Sequence, residues 1–331
     1  MEYRHLGKSG LEISALSLGA WVTMGGQIGE DPAFECMQAA YQAGVNYFDN
    51  AESYAQGNAE IVMGTVIKKA GWKRSDLVLS TKLFWGGKKP NQTGLSRKHI
   101  LEGARASLAR MQLDYVDLIF CHRPDMYTPI EETVRAMTFL VNQGLAFYWG
   151  TSEWSADQIM QAYSIAQQQA LVPPSMEQPQ YNMFHREKVE REYARLYDEL
   201  GLGITVWSPL ASGMLTGKYN KGIPGGTRVS LAGYEWLRES FEGERGGQRV
   251  EKVKSLVPLA DKLGMTMAQL AIAWCLKNPH VSSVITGASK PEQVIQNMQA
   301  IDFVDKLTPE VMTQIDDILA NKPKPLSDYR D

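Results

Sequence analysis

The stretch Val45-Asn46-Tyr47-Phe48-Asp49-Asn50-Ala51-Glu52-Ser53-Tyr54 reads as a short apolar strand that stops at an acid, with a phenol a few residues on. Two later runs have the same shape: Leu77 to Ser80 leads to Lys82, and Val116 to Cys121 leads to His122. An acid, a phenol, an amine and an imidazole at the ends of successive strands converge only if those strands run parallel, with their carboxyl ends on one face. A closed α/β barrel supplies that arrangement.

Working outward from these runs, Tyr3 to Leu6 and Leu11 to Leu16 flank Gly7-Lys8-Ser9-Gly10 and read as a hairpin ahead of the repeating part. Strand-like segments then follow at Leu16–Ala20, Val45–Asp49, Leu77–Lys82, Val116–His122, Phe147–Thr151, Met176–Gln178, Ile204–Ser208 and Ser283–Thr286. Helical patterns lie between them, at Pro32–Ala43, Ala59–Ala70, Arg97–Met111, Ile130–Gln143, Ala156–Gln168, Lys188–Leu200 and beyond. Later helices are expected near Val250–Leu263, Thr266–Leu276, Pro291–Met298 and Pro309–Leu319. Asp31-Pro32, Ser96, Thr128-Pro129, Ser155 and Thr308-Pro309 supply helix-start signals, and Gly44, Gly144, Gly201 and Gly264 stand where helices should end. Such alternation argues for βαβ units and a parallel sheet, and eight units close a barrel. The competing doubly wound sheet lacks its G-x-G-x-x-G fingerprint, and no G-x-x-x-x-G-K-[ST] phosphate loop is present.

One connection is long, from Pro209 to about Arg249, and glycine-rich, with Gly213, Gly217, Gly222, Gly225, Gly226 and Gly233. Its place after the seventh strand suggests a ligand-covering flap, with a plain insertion as the alternative. Glu242 to Gln248 reads as disordered surface.

Composition narrows the classes. The chain of 331 residues has a formal net charge of −3 and a pI near 6.0, so no global field favours nucleic acid or an anionic membrane surface. One domain over residues 1–331 is expected, since such barrels run to roughly 250 residues or more. Cys36, Cys121 and Cys275 are far apart and each falls in an apolar run, which fits small buried hydrophobes in a reducing cytosol rather than metal ligands. Neither a leader pattern nor an apolar stretch of about 20 residues occurs, so secretion and membrane insertion lack support. Asn91-Gln92-Thr93 matches a glycosylation acceptor, but in a cytosolic chain it is only a loop.

The four polar residues suit one reaction. A phenol has an ordinary pKa of about 10, and a neighbouring ammonium held by a carboxylate would stabilise its anion. Tyr54, tuned in this way by Lys82 and Asp49, could protonate a carbonyl oxygen as hydride reaches the carbon, with His122 orienting that oxygen. The hydride must then come from a cofactor. Each of the four alone is more often structural; their joint placement after strands two, three and four favours chemistry over a structural network.

Asp49-Asn50-Ala51-Glu52-Ser53-Tyr54, Ser80-Thr81-Lys82 and Cys121-His122-Arg123-Pro124-Asp125 resemble the active-site motifs of the aldo-keto reductase superfamily. More narrowly, Gly19-Ala20-Trp21-Val22-Thr23, Phe84-Trp85-Gly86-Gly87, Gly94 to Ile100, Glu131 to Met137 and Tyr148-Trp149-Gly150-Thr151-Ser152 resemble its voltage-gated potassium channel β-subunit branch. The resemblance implies an (α/β)8 TIM barrel, NADP(H) as cofactor and carbonyl reduction. It further implies that Trp21, Gln27, Asp49, Tyr54, Lys82, His122, Ser152 and Gln178 surround the nicotinamide, with Trp207 near the ring. Ser208, Pro209, Leu210, Ala211, Ser212, Lys218 and Arg228 would follow the pyrophosphate. Gly287, Ser289, Lys290, Gln293, Gln296 and Asn297 would meet the adenosine end, where a helix start near Pro291 favours phosphate. Lys290 is the candidate for the 2′-phosphate, although a lysine at a helix start is ordinary. Trp21, Trp85 and Trp154 could wall an aldehyde pocket, or could simply pack the barrel rim; Trp21 and Trp207 have packing as their alternative too.

The same resemblance leaves two functions open: a cytoplasmic reductase of small carbonyl compounds, or a regulatory subunit that binds a potassium channel and reports cofactor redox state. Animal channel subunits typically carry asparagine at the position matching His122, whereas competent reductases carry histidine, which favours chemistry. The chain begins directly before the hairpin, so no pore-plugging segment is expected. A four-fold tetramer is implied by the branch alone.

Overall fold

A computed structural model describes residues 1–224, 229, 238, 241–327 and 330. Arg228, together with Gly225, Gly226 and Gly233 of the expected flap, lies outside the described residues. Contacts divide the chain into two units. The first comprises 1–179, 192–207 and 280–298, and the second 180–191, 208–279 and 299–331.

Among the described residues, the first unit holds every strand. β1 (Tyr3–His5) and β2 (Glu12–Ser14) form an antiparallel hairpin, with Arg4 opposite Ile13. β3 (Leu16–Gly19), β4 (Tyr47–Asp49), β5 (Val78–Leu83), β6 (Val116–Cys121), β7 (Ala146–Thr151), β8 (Met176–Glu177), β9 (Gly203–Val206) and β10 (Val281–Thr286) are parallel and close into a barrel, β10 pairing with both β9 and β3. β3 to β6 are buried at every position, as expected of parallel strands covered on both faces. The (α/β)8 TIM barrel with an amino-terminal hairpin is therefore the observed fold.

Leu6 and Ile13 of the hairpin pack with Tyr47, Val78, Leu118 and Met176, residues at or near the starts of their strands. The hairpin so closes the amino-terminal mouth, and Ser14 and Asn46 lock it there through reciprocal bonds of 2.7 and 3.2 Å. Outside the strands, Glu30–Gln42 buries one stripe, Ala33, Cys36, Met37 and Ala40. Gly64 lets Asn58–Ala70 approach Arg97–Met111, since a Cβ there would stand 2.3 Å from the Met111 carbonyl oxygen. Gly150 does the same between β7 and β8, where a Cβ would lie 2.2 Å from the Met176 carbonyl oxygen.

In the second unit, Met267–Leu276 is buried along its length and starts at a capping box formed by Thr266 and Gln269. Arg186 pairs with Glu190 and Asp316 and lies over the Trp274 ring. All three cysteines are free and buried. Among the described residues no helix is long and apolar enough to cross a membrane.

Several local expectations change. Glu242 to Gln248 is not disordered surface: the helix runs Gly243–Leu263, with Gly246 buried and Gln248 donating to Glu244. The segment from Lys188 is a π turn, Lys188–Glu192, followed by a shorter α-helix, Ala194–Leu200. Ser96, Ser155 and Thr308 cap as expected. Asp31-Pro32 does not, because the helix already begins at Glu30 after Gly29, and Thr128 instead donates to Asp125.

Candidate active site

Side chains alternate along a strand, so residues two apart share a face. Tyr47 and Asp49 on β4, Ser80 and Lys82 on β5, and Leu118, Phe120 and then His122 on or after β6 obey that rule, and register pairs Asp49 with Ser80 and Lys82 with Phe120. The polar ends of these rows meet at the carboxyl end of the barrel. Lys82 is wholly buried, and its ammonium donates to Asp49 Oδ2 at 2.6 Å, the Asn50 carbonyl at 2.7 Å and Tyr54 Oη at 3.0 Å. All three of its donors are used. Asp49 Oδ1 accepts from Ser80 at 2.8 Å, Gln178 Nε2 at 3.0 Å and Tyr47 at 3.2 Å.

Tyr54 follows in a strained turn. Ala55, Gln56 and Gly57 take φ of 48°, 57° and 89°, a left-handed run that two non-glycine residues adopt only when their surroundings fix it. Since Lys82 donates to the phenolic oxygen, the phenol's own proton points elsewhere. The direction of its ionisation corrects the sequence expectation: burial raises the Tyr54 pKa, and although Lys82 and Arg123 pull it down, Asp49 adds to the rise and the net direction is upward. Sequence could show the cation, but not the depth of burial around the hydroxyl. Burial also opposes the charge of Lys82, yet Asp49 and Tyr54 outweigh it, and its pKa rises too. A neutral phenol beside a retained ammonium results.

His122 stands across from them, its ring edge-on to Tyr54 at 5.7 Å and to Trp85 at 5.0 Å. Its Nδ1 is buried with no hydrogen-bond partner. Burial, then the charges of Lys82 and Arg123, hold its pKa well below the ordinary histidine value. The imidazole is thus neutral at physiological pH. The unfolded chain binds a proton at this residue near pH 6.5, while the folded chain binds it only at lower pH, so acidification below about 6.5 favours unfolding and pH above it has no effect here. Urea denaturation at pH 7.5 and 5.5 will show His122→Asn losing about 1 kcal/mol less stability on acidification than the parent chain. Equal losses would contradict the assignment.

The remaining expected residues fall as follows. Ser152 donates to the Gln178 carbonyl at 2.8 Å and accepts from Arg123 at 3.2 Å, and Gln178 Nε2 serves Asp49. Trp21 and Trp207 meet edge-on at 5.8 Å, and Trp207 Nε1 donates to Glu153 at 3.1 Å. Val22, beside Trp21, has φ of 68°, an outlier for a β-branched residue. Gln27 is exposed on the same connection. Trp85 is 42% exposed whereas Trp154 is 1% exposed, so Trp85 offers an open ring face and Trp154 is packed within the fold. After β10, a Cβ on Gly287 would meet nothing within 4 Å, Ser289 pairs with Gln293, Lys290 and Gln296 are exposed, and Asn297 is buried on the helix Pro291–Met298.

Ser208, Pro209, Leu210, Ser212 and Lys218 belong to the second unit. There Ser208, Ala211 and Ser212 take φ of 58°, 46° and 57°, and the Ser212 amide donates to Ser208 Oγ at 3.3 Å. Lys218 lies over Tyr219, its ammonium 5.0 Å from the ring centroid, and crowds Gly213.

Sequence reasoning gave no role to Tyr47 and Ser80, which hold Asp49, nor to Glu52 and His99, which pair at 3.0 Å beneath the Phe84 amide. The first two had a legible signal, since each lies two positions before a residue of the cluster. Glu52 and His99 are far apart in sequence and had none.

Comparison with known proteins agrees with this geometry. Residues 15–320 match the model of the Aldo/keto reductase family. A rice protein (Oryza sativa subsp. japonica) described as "Probable voltage-gated potassium channel subunit beta" is 55% identical over 331 residues, covering 100% of both chains. Barrel, polar cluster and family match together place this chain in the aldo/keto reductase family, with the general role of an oxidoreductase.

Proposed function

We propose that this chain reduces aldehydes or ketones to alcohols with NADPH, using Tyr54 as proton donor. The observation that carries the reading is the bond from Lys82 to Tyr54 Oη at 3.0 Å, which leaves the phenolic proton for an acceptor outside the cluster. Residues of the barrel suit a nicotinamide nucleotide: His122 Nδ1 lacks a partner, and Gly287 leaves open backbone ahead of a helix start. When bound, the cofactor supplies a hydride to the carbonyl carbon.

The roles of the chain's own residues combine their bonds with what the resemblance implies. Trp21, Gln27, Ser152, Gln178 and Trp207 would hold the nicotinamide end; Gly287, Ser289, Lys290, Gln293, Gln296 and Asn297 would hold the adenosine end, Lys290 favouring a 2′-phosphate. Ser208, Pro209, Leu210, Ser212, Lys218 and Arg228 belong to the same proposal on the resemblance alone. Neutral His122 hydrogen-bonds the carbonyl oxygen and turns it toward Tyr54. As negative charge grows on that oxygen, Tyr54 gives up its proton, and Lys82, anchored by Asp49, stabilises the phenolate that remains. The raised Tyr54 pKa suits this direction, because the donor must be protonated before the step. We place the protein in the cytoplasm, as one domain that assembles into a tetramer.

The name of the rice relative favours a second reading, a regulatory subunit bound to a potassium channel. One assay separates the two. Mixed with aromatic and short aliphatic aldehydes, the protein will consume NADPH at 340 nm, and NADH much more slowly. Tight NADPH binding with no consumption over hours across the panel would replace the reductase with the regulatory subunit.

A further inference from the structure

Arg123 follows His122 directly, and the mechanism above does not use it. Its guanidinium lies near two indoles, 5.6 Å from the Trp85 ring centroid and 6.0 Å from that of Trp207. Both distances are within the range of cation–π attraction. Only Nη1 donates to protein, to the His122 carbonyl at 2.5 Å and to Ser152 Oγ at 3.2 Å. The edge formed by Nε and Nη2 therefore has no acceptor among the described residues, and that edge is the one that grips a carboxylate with two parallel bonds. Nearby acids are engaged elsewhere. Asp125 receives the amides of Leu95 and Tyr127 and the Thr128 hydroxyl, Asp49 holds Lys82, and Glu153 accepts the Trp207 indole N–H.

Electrostatics agree with this picture. Lys82 is offset by Asp49, and His122 is neutral, so Arg123 is a further positive charge felt at both Tyr54 and His122. The planar fork matches the two oxygens of a carboxylate through two parallel bonds.

Resting on the reductase reading, we propose that Arg123 sets the substrate class: the pocket prefers carbonyl compounds that carry a carboxylate, held by the Nε–Nη2 edge beside Trp85 and Trp207. The carboxylate is bound as a spectator and takes no part in proton or hydride transfer.

The matched probes are 4-formylbenzoate and its methyl ester, nearly equal in shape and different in charge. With NADPH saturating, kcat/KM for the acid will exceed that for the ester by about tenfold, the scale of one charge-assisted pair. In Arg123→Met the ratio will fall to about one or below, and in Arg123→Lys, which keeps the charge and loses the fork, it will fall between the two. A purely structural Arg123 would lower both rates together and leave the ratio unchanged. Binding is read separately, by quenching of tryptophan fluorescence with 4-(hydroxymethyl)benzoate and its methyl ester in the presence of NADP⁺. Tighter binding of the acid that Arg123→Met abolishes supports the carboxylate site even if neither aldehyde is turned over, a result that would sink the reductase alone. Equal binding of acid and ester by the parent protein, or a preference that Arg123→Met leaves intact, overturns the proposal even if both aldehydes are reduced.

Discussion

Tyr54→Phe lowers kcat for aldehyde reduction by about a thousandfold, within the range that a positioned general acid contributes. The substitution removes one oxygen and leaves the ring, so the edge-on contact with His122 at 5.7 Å persists and the wall of the site keeps its shape. What disappears is the group that Lys82 holds at 3.0 Å with its proton directed away. No neighbour replaces it well. His122, neutral and with a depressed pKa, is a poor acid at pH 7, and Lys82, which loses its Tyr54 acceptor, stays enclosed at 0% exposure and bound to Asp49 and the Asn50 carbonyl. Steady-state kinetics with NADPH and an aromatic aldehyde measure the effect, and KM for the aldehyde should change far less than kcat. A loss smaller than tenfold would mean that another group, or water, delivers the proton. In the parent enzyme, kcat for reduction should stay flat from pH 7 to 9, because Tyr54 ionises above the ordinary phenol range. Alcohol oxidation, which needs the phenolate, should rise with pH over the same interval.

Lys82→Met acts on both activity and stability. It leaves Asp49 buried with only neutral donors, Ser80, Gln178 and Tyr47, where an ammonium stood at 2.6 Å. Breaking a buried ion pair by removing one partner costs about 3–5 kcal/mol, because the surviving charge loses its compensation. Asp49→Asn leaves the ammonium bonded to the Asn50 carbonyl and Tyr54 but uncompensated in charge. The double variant Lys82→Met with Asp49→Asn removes both charges and should be more stable than Lys82→Met by about 2 kcal/mol, and urea denaturation of both single variants and the double will give the coupling. Strict additivity would show that the pair does not act as a unit. Activity will not follow stability. The double variant should remain at least a hundredfold below the parent in kcat, since the phenolate left behind by Tyr54 has lost its cation.

Much of this site was legible because a strand repeats every two residues. Asp49, Lys82 and His122 end or follow apolar runs, and a parallel barrel carries such ends to one face; the same spacing singles out Tyr47 and Ser80 once the strands are known. Properties that depend on depth were not legible. Tyr54 sits beside the cation that sequence supplied, yet its pKa moves upward because burial exceeds the pull of that cation. Trp154 was a candidate wall of an open pocket and is packed within the fold, a distinction between two tryptophans that composition does not carry. Disordered surface was expected at Glu242 to Gln248, and the chain instead forms the first turns of a long helix there, in spite of three glycines of low helix propensity. The π turn at Lys188–Glu192 also leaves the usual helical period, so a 3.6-residue pattern reads through it as one helix.

The most direct test follows a labelled hydride. With NADPH deuterated at the transferable position and an aromatic aldehyde as substrate, the alcohol will be heavier by one deuterium on its former carbonyl carbon, formed by the parent protein and about a thousandfold more slowly by Tyr54→Phe. Recovery of unreacted aldehyde from both proteins, with the cofactor bound and its label retained, would contradict it.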